Sequence, residues 1–140
     1  MKVLYYFNAQ NRLNETIQTI LRAYSRQKSA YIFSDSVDFL NQLNRALWEQ
    51  LLFLPHVFAN DKNADFTPYI LSNHLDDFKK NQPLIFLPFN EIKIDGLERF
   101  PFVYEIMDND ENTKNYGRAR VQNYKKCGFS IQFHNLLENK

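Results

Sequence analysis

Three cations recur down one side of a segment near the C-terminal end of the chain. Lys114, Arg118 and Lys125 stand at positions i, i+4 and i+11, and Val121 falls between them at i+7. At 100° per residue all four share one face of a helix. From Thr113 to His134 there is no aspartate or glutamate, whereas a face that only solvates a helix usually mixes signs. A cationic ridge enclosing one apolar residue has a definite chemistry: charge-assisted bonds to carboxylates beside a slot for an apolar group. It suits an acidic peptide ending in an apolar residue. A solvated helix face is the plainer reading, and the helix dipole already favours cations toward a C-terminal half. The residues by themselves leave both readings open.

Other chemistry is thin. His56, His74 and His134 are scattered, and no pair has the spacing of metal ligands on one helix. His56, after Pro55, reads as a loop or core histidine rather than a base. Cys127 lies beside Lys125 and Lys126, which would favour its thiolate, but no partner motif accompanies it. It reads as a buried packing cysteine next to Gly128. The run Asp108-Asn109-Asp110-Glu111 is expected to cap and solvate the start of a helix rather than hold a metal. A nucleotide-binding α/β fold needs a glycine-rich phosphate loop after its first strand. Here that loop, Asn8 to Asn14, contains no glycine, and Gly96, Gly117 and Gly128 stand in no phosphate-cradle pattern. No cofactor and no metal are expected.

The elements that must position these residues follow from periodicity. The cationic segment reads as a helix that Gly128 stops, with Tyr116, Ala119 and Cys127 left to face inward. After it Phe129, Ile131 and Phe133 alternate with Ser130, Gln132 and His134, the period of a half-buried strand. Val3 to Phe7 reads as a central strand covered on both faces. Ile17, Ile20, Leu21 and Tyr24 mark an amphipathic helix capped near Asn14. Ala30 to Phe33 is a second strand, and Ser34, Asp35 and Ser36 offer caps for a helix with Val37, Leu40, Leu43 and Leu47 on its inner stripe. Later strands are predicted at Tyr69 to Leu71, Leu84 to Leu87 and Phe102 to Ile106, punctuated by Pro83, Pro88 and Pro101. Strand and helix alternate. The expected architecture is a three-layer Rossmann-like α/β sandwich with a mostly parallel central sheet and no nucleotide-binding loop.

At 140 residues the chain is expected to form one domain, residues 1–140, with a substantial core. The net charge of +1 confines any electrostatic role to a local patch. One cysteine excludes an internal disulfide and fits a reducing cytoplasm. The first apolar run is too short for a signal peptide, and no segment approaches a membrane span. Trp48 lies about 100° from the centre of its helix's apolar stripe. Phe53, Leu54 and Phe58 follow it closely. It either covers the edge of the core or anchors a partner, a role in which tryptophan is enriched.

Several blocks together resemble one family. Arg118-x-Arg120-x3-Tyr124-x3-Gly128-Phe129, preceded by Lys114 and followed by an alternating strand, is similar to the C-terminal signature of the DNA polymerase III chi subunit family. Leu43-x3-Leu47-Trp48 and Phe53-Leu54-Pro55-His56 resemble an upstream block of the same family, and Tyr69 to Ser72 stands where its next strand lies. The family commonly carries an aromatic residue at the position of Val121.

The resemblance implies a non-catalytic clamp-loader accessory subunit of the replicative polymerase. Its expected partners are the psi subunit, through Trp48, Phe53, Leu54 and Pro55, and the acidic C-terminal tail of single-stranded DNA-binding protein. For the tail, Lys114 and Arg118 are expected to engage carboxylates, Lys125 extends the ridge, and Val121 receives the terminal ring. Single-stranded DNA would be met only indirectly, since no segment reads as a base-reading helix or stacking platform. A small α/β nucleotide-binding protein or enzyme is the alternative, and the glycine-free loop counts against it.

Overall fold

The computed structural model describes residues 1–50, 54–78 and 81–137. Among these residues seven strands form one sheet: β1 (Lys2–Ala9), β2 (Ala30–Phe33), β3 (His56–Phe58), β4 (Tyr69–Ser72), β5 (Leu84–Phe86), β6 (Phe102–Asp108) and β7 (Ser130–Asn135). Their order is β3-β4-β2-β5-β6-β1-β7, and every pairing is parallel. Among the described residues three α-helices accompany them: α1 (Arg12–Ser25), α2 (Val37–Gln50) and α3 (Glu111–Lys126). The result is the expected Rossmann-like α/β sandwich, with a sheet that is parallel throughout the described residues.

Strand alternation divides the core into two layers. On one face Ile32, Ile85 and Ile106 pack with Ile17 and Ile20 of α1 and with Leu40, Leu43 and Leu47 of α2. On the other, Val3, Tyr5, Phe86, Val103 and Met107 pack with Val121 and Tyr124 of α3 and with Phe78, Leu97 and Phe100 from the connections. The central strands β2, β4 and β5 are buried along their whole length, as strands covered on both faces must be.

The details depart from the periodicity in ways that have local causes. Asn11, not Asn14, caps α1: its side chain accepts from the Asn14 backbone N–H at 2.9 Å. Val37 is 51% exposed rather than inward, because Ser36 caps α2 at Phe39 N–H and Val37 opens the first turn. Phe39 and Ala46 join the inward stripe in its place. Strand β3 was not expected; at three residues it is too short to display a period. Asn8 sits in the left-handed region at φ 64°, a conformation asparagine tolerates. The pairing of β1 with β6 is irregular between Tyr6 and Ala9, so the chain kinks at the C-terminal end of β1.

Candidate functional site

Helix α3 fixes the geometry around the cationic ridge. Asp110 caps it, accepting from Thr113 N–H at 3.1 Å, and Thr113 Oγ1 donates to Asp108 Oδ1 at 2.9 Å. The acidic run therefore caps the helix, as its composition implied. The inward residues are Thr113, Gly117, Arg120, Val121 and Tyr124. This corrects the inward face expected from the sequence: Ala119 and Cys127 are exposed and Tyr116 is half-buried. Cys127 is accordingly a free surface thiol, not a packing cysteine.

The reason for that orientation lies on the sheet face that α3 covers. Arg120 and Glu105 of β6 are buried and paired, with 3.1 Å between Nη2 and Oε2. Tyr124 donates its hydroxyl to the other oxygen of the same carboxylate at 2.6 Å, and Arg120 Nη1 donates to the Asn90 carbonyl at 3.2 Å. A charge turned into the core is tolerated only when it is paired and hydrogen-bonded, which this one is. Burial, then the Glu105 charge, holds the Tyr124 phenol well above its ordinary pKa. Gly117 lets the helix approach β1 closely. A Cβ there would collide with the Tyr5 hydroxyl and come within 3.1 Å of Met107 Cε.

This docking opens a cleft of about 410 Å³ between the first half of α3 and the C-terminal ends of β1, β6 and β7. In parallel α/β sheets that end is where ligands bind. Tyr5, Phe7, Met107, Val121 and Phe133 supply its apolar surface, and Lys114 and Arg118 stand along it as cations. Phe133 is 50% exposed, with its ring edge-on to Tyr5 at 5.8 Å between centroids. Arg118 is exposed and donates to Asn115 Oδ1 at 3.3 Å. Lys114 Nζ lies 3.7 Å from Glu111 Oε1, an exposed pair that a ligand carboxylate can displace at little cost. Asp108 also lines the cleft, and its Oδ1 accepts from Thr113 and from Asp110 N–H.

The sequence-predicted residues are thus brought together only in part. Lys114, Arg118 and Val121 line one cleft, whereas Lys125 is exposed and not among its lining residues. Val121 is 8% exposed, so it lies at the floor beneath the cations instead of standing among them. The rings of Phe7 and Phe133 were missed. The alternation of β7 was visible, but that Phe133 meets β1 beside α3 depends on strand order.

A second surface gathers around Trp48, which is 51% exposed and rests against the His56 imidazole at 4.5 Å. His56 is buried, as a core histidine would be, and its Nδ1 lies 2.9 Å from the Leu54 carbonyl. Pro55 is exposed beside it. Leu54, by contrast, is 3% exposed and packs in the core under α2, so it is not presented to a partner. Phe53 lies outside the described residues.

The connection that would cradle phosphate in a nucleotide-binding fold leads here into a buried arginine. Arg12, in the first turn of α1, is 5% exposed. Its Nε donates to the Ile106 carbonyl and its Nη2 to the Pro88 carbonyl, both at 2.7 Å. Its guanidinium also lies over the Phe89 ring at 4.4 Å. Burial pushes its pKa down to about 10, which leaves it charged at neutral pH. Among the described residues there is no group of three His, Cys, Asp or Glu arranged to hold a metal ion, and no helix long and apolar enough to cross a membrane.

In comparison with known families, the family model described as DNA polymerase III chi subunit, HolC, matches residues 1–132. The search of curated proteins returned no match.

Proposed function

Because the chain belongs to the DNA polymerase III chi subunit family, and so to the accessory subunits of that polymerase, we propose that it works as a non-catalytic adaptor. One surface would hold the psi subunit, and the cleft beside α3 would hold the acidic C-terminal tail of single-stranded DNA-binding protein. The observation that carries this reading is the pairing of Lys114 and Arg118 with an apolar floor of Val121, Phe7 and Phe133 in one cleft. Carboxylates and a terminal aromatic ring are the two things such a cleft can take at once. Exposed ion pairs contribute only about 0–1 kcal/mol each, so the apolar floor must supply the greater share. For the psi subunit, Trp48 and Pro55 are the exposed candidates, with Phe53 next to them in the sequence. A cytoplasmic location accompanies this reading.

The deciding experiment is a titration of a labelled tail peptide followed by fluorescence anisotropy. Micromolar or weaker binding is expected, reduced by added salt and by Arg118→Glu. Removal of the peptide's terminal aromatic residue should weaken it at least as much as one charge reversal. Unchanged affinity in the Lys114→Glu, Arg118→Glu double variant would show that this face of α3 is only solvated. For the second surface, Trp48→Ala is expected to cost about 2 kcal/mol or more of psi affinity. A large drop in melting temperature with psi affinity intact would make Trp48 a structural residue instead.

A further inference from the structure

The sheet face opposite the cleft carries a row of aromatic rings. The pleat that sends Tyr5 and Phe7 toward α3 sends Leu4 and Tyr6 the other way. Tyr6 stacks on Tyr104 of β6, at 6.4 Å and 26°, and on His134 of β7, at 4.7 Å and 16°. The row thus crosses three neighbouring strands, β6, β1 and β7. Phe102, on the same face of β6, is 42% exposed. Beside the row a cavity of about 570 Å³ opens between the end of α1 and the sheet, with Tyr6, Phe102 and Tyr104 among its lining residues.

Arg22, Arg26 and Lys28 also line this cavity. All three are exposed, and none of them takes part in an ion pair among the described residues. None of the described residues lining the cavity is acidic. Arg22 and Arg26 lie close enough to Tyr6 to pull its phenol down against the upward push of burial and Tyr104. Uncompensated cations call for an anionic ligand, and a row of rings on a sheet calls for flat π surfaces. An acidic peptide would leave the rings unused, and a purely apolar partner would leave the cations unpaired. A single nucleic-acid strand uses both, since bases of any sequence stack on aromatic side chains while the backbone tracks a positive groove.

We propose that this face binds single-stranded nucleic acid, with bases stacked on Phe102 and the Tyr104–Tyr6–His134 row and phosphates held by Arg22, Arg26 and Lys28. This contact is direct, unlike the indirect one expected from the sequence. It lies across the sheet from the α3 cleft, so a strand and an acidic tail can be held together.

The test is anisotropy of a labelled oligothymidylate of about 16 nucleotides, titrated with the full chain at several salt concentrations. Three neutralised phosphates predict a slope of log K against log salt near about −2, from roughly −0.7 per phosphate on a single strand. The Arg22→Glu, Arg26→Glu double variant should lose at least about tenfold in affinity. Phe102→Ala should lose about five- to tenfold, at a position exposed enough to spare the fold. Melting temperatures of both variants should stay at the parental value, and Lys114→Glu with Arg118→Glu should leave oligonucleotide affinity unchanged. The proposal is overturned if the oligonucleotide fails to bind or if the arginine reversals do not weaken it. It is equally overturned if those variants release a protein partner while the oligonucleotide shows no affinity, which would make the face a protein-docking surface.

Discussion

Arg120 of α3 and Glu105 of β6 form an ion pair in the interior, their side chains 3% and 0% exposed. Tyr124 is bound to the same carboxylate from one turn further along the helix. The three side chains set the rotation of α3 on the sheet, and with it the position of Lys114 and Arg118 over the cleft. Removing one partner strands the other charge. Glu105→Ala should therefore destabilise the fold by about 3–5 kcal/mol, measured by chemical denaturation. Replacing both charges by methionine should restore most of that loss, because the desolvation of the pair disappears with it. If Glu105→Ala costs less than about 1 kcal/mol, the pair does not hold the helix.

Gly117 marks the closest approach of α3 to β1. Gly117→Ala should cost about 1–3 kcal/mol through overpacking against the Tyr5 hydroxyl, although alanine is the better helix former by about 1 kcal/mol. Tyr5→Phe removes the atom a Cβ would meet first. The double variant should thus be more stable than Gly117→Ala alone, a coupling visible in a double-mutant cycle. Simple additivity would place the obstruction elsewhere.

Val121 sits at the floor of the cleft, and its burial reverses a substitution that the bare sequence would recommend. Val121→Tyr, which adds aromatic bulk at the floor, is expected to lower stability by about 1–3 kcal/mol through overpacking and to leave tail affinity no tighter. Phe133→Ala, at an exposed ring, should weaken the tail peptide with little change in melting temperature. Tighter peptide binding by Val121→Tyr at unchanged stability would mean that the residue stands beside the peptide rather than beneath it.

Alkaline pH should act through buried phenols. Burial pushes Tyr69 up to about 12, and it raises Tyr5 and Tyr124 as well, with Glu105 adding to both. A phenol whose folded pKa exceeds its unfolded value of about 10 keeps its proton longer in the folded state. Its contribution is complete below about pH 10 and declines as pH rises toward the folded value. Arg12, lowered to about 10, works in the opposite sense over part of that range, one group against four once Tyr6, also raised by burial, is included. Unfolding midpoints should hardly change up to about pH 9 and then fall, and Tyr69→Phe should flatten the fall. Midpoints that rise above about pH 10 would contradict the balance.

The sequence by itself determined the layering of this protein. Apolar runs such as Val3 to Phe7 and Ala30 to Phe33, alternating with helices of period 3.6, admit little besides a parallel sheet covered on both faces. The glycine-free loop after β1 was legible for the same reason: phosphate cradles need residues the chain does not place there. It also showed the spacing that puts Lys114, Arg118 and Val121 on one side of a helix.

Only the tertiary structure decided how that helix is turned. Its pattern is weak, because one of the residues that face inward is Arg120, whose partner Glu105 lies on another element. A hydropathy period scores both as surface residues, and their pairing is a relation between distant positions. The rings of Phe7 and Phe133 in the cleft, and the Tyr104–Tyr6–His134 row on the other face, depend likewise on β1 lying between β6 and β7. Strand order is set by the summed packing of both sheet faces, which no local stretch of sequence contains.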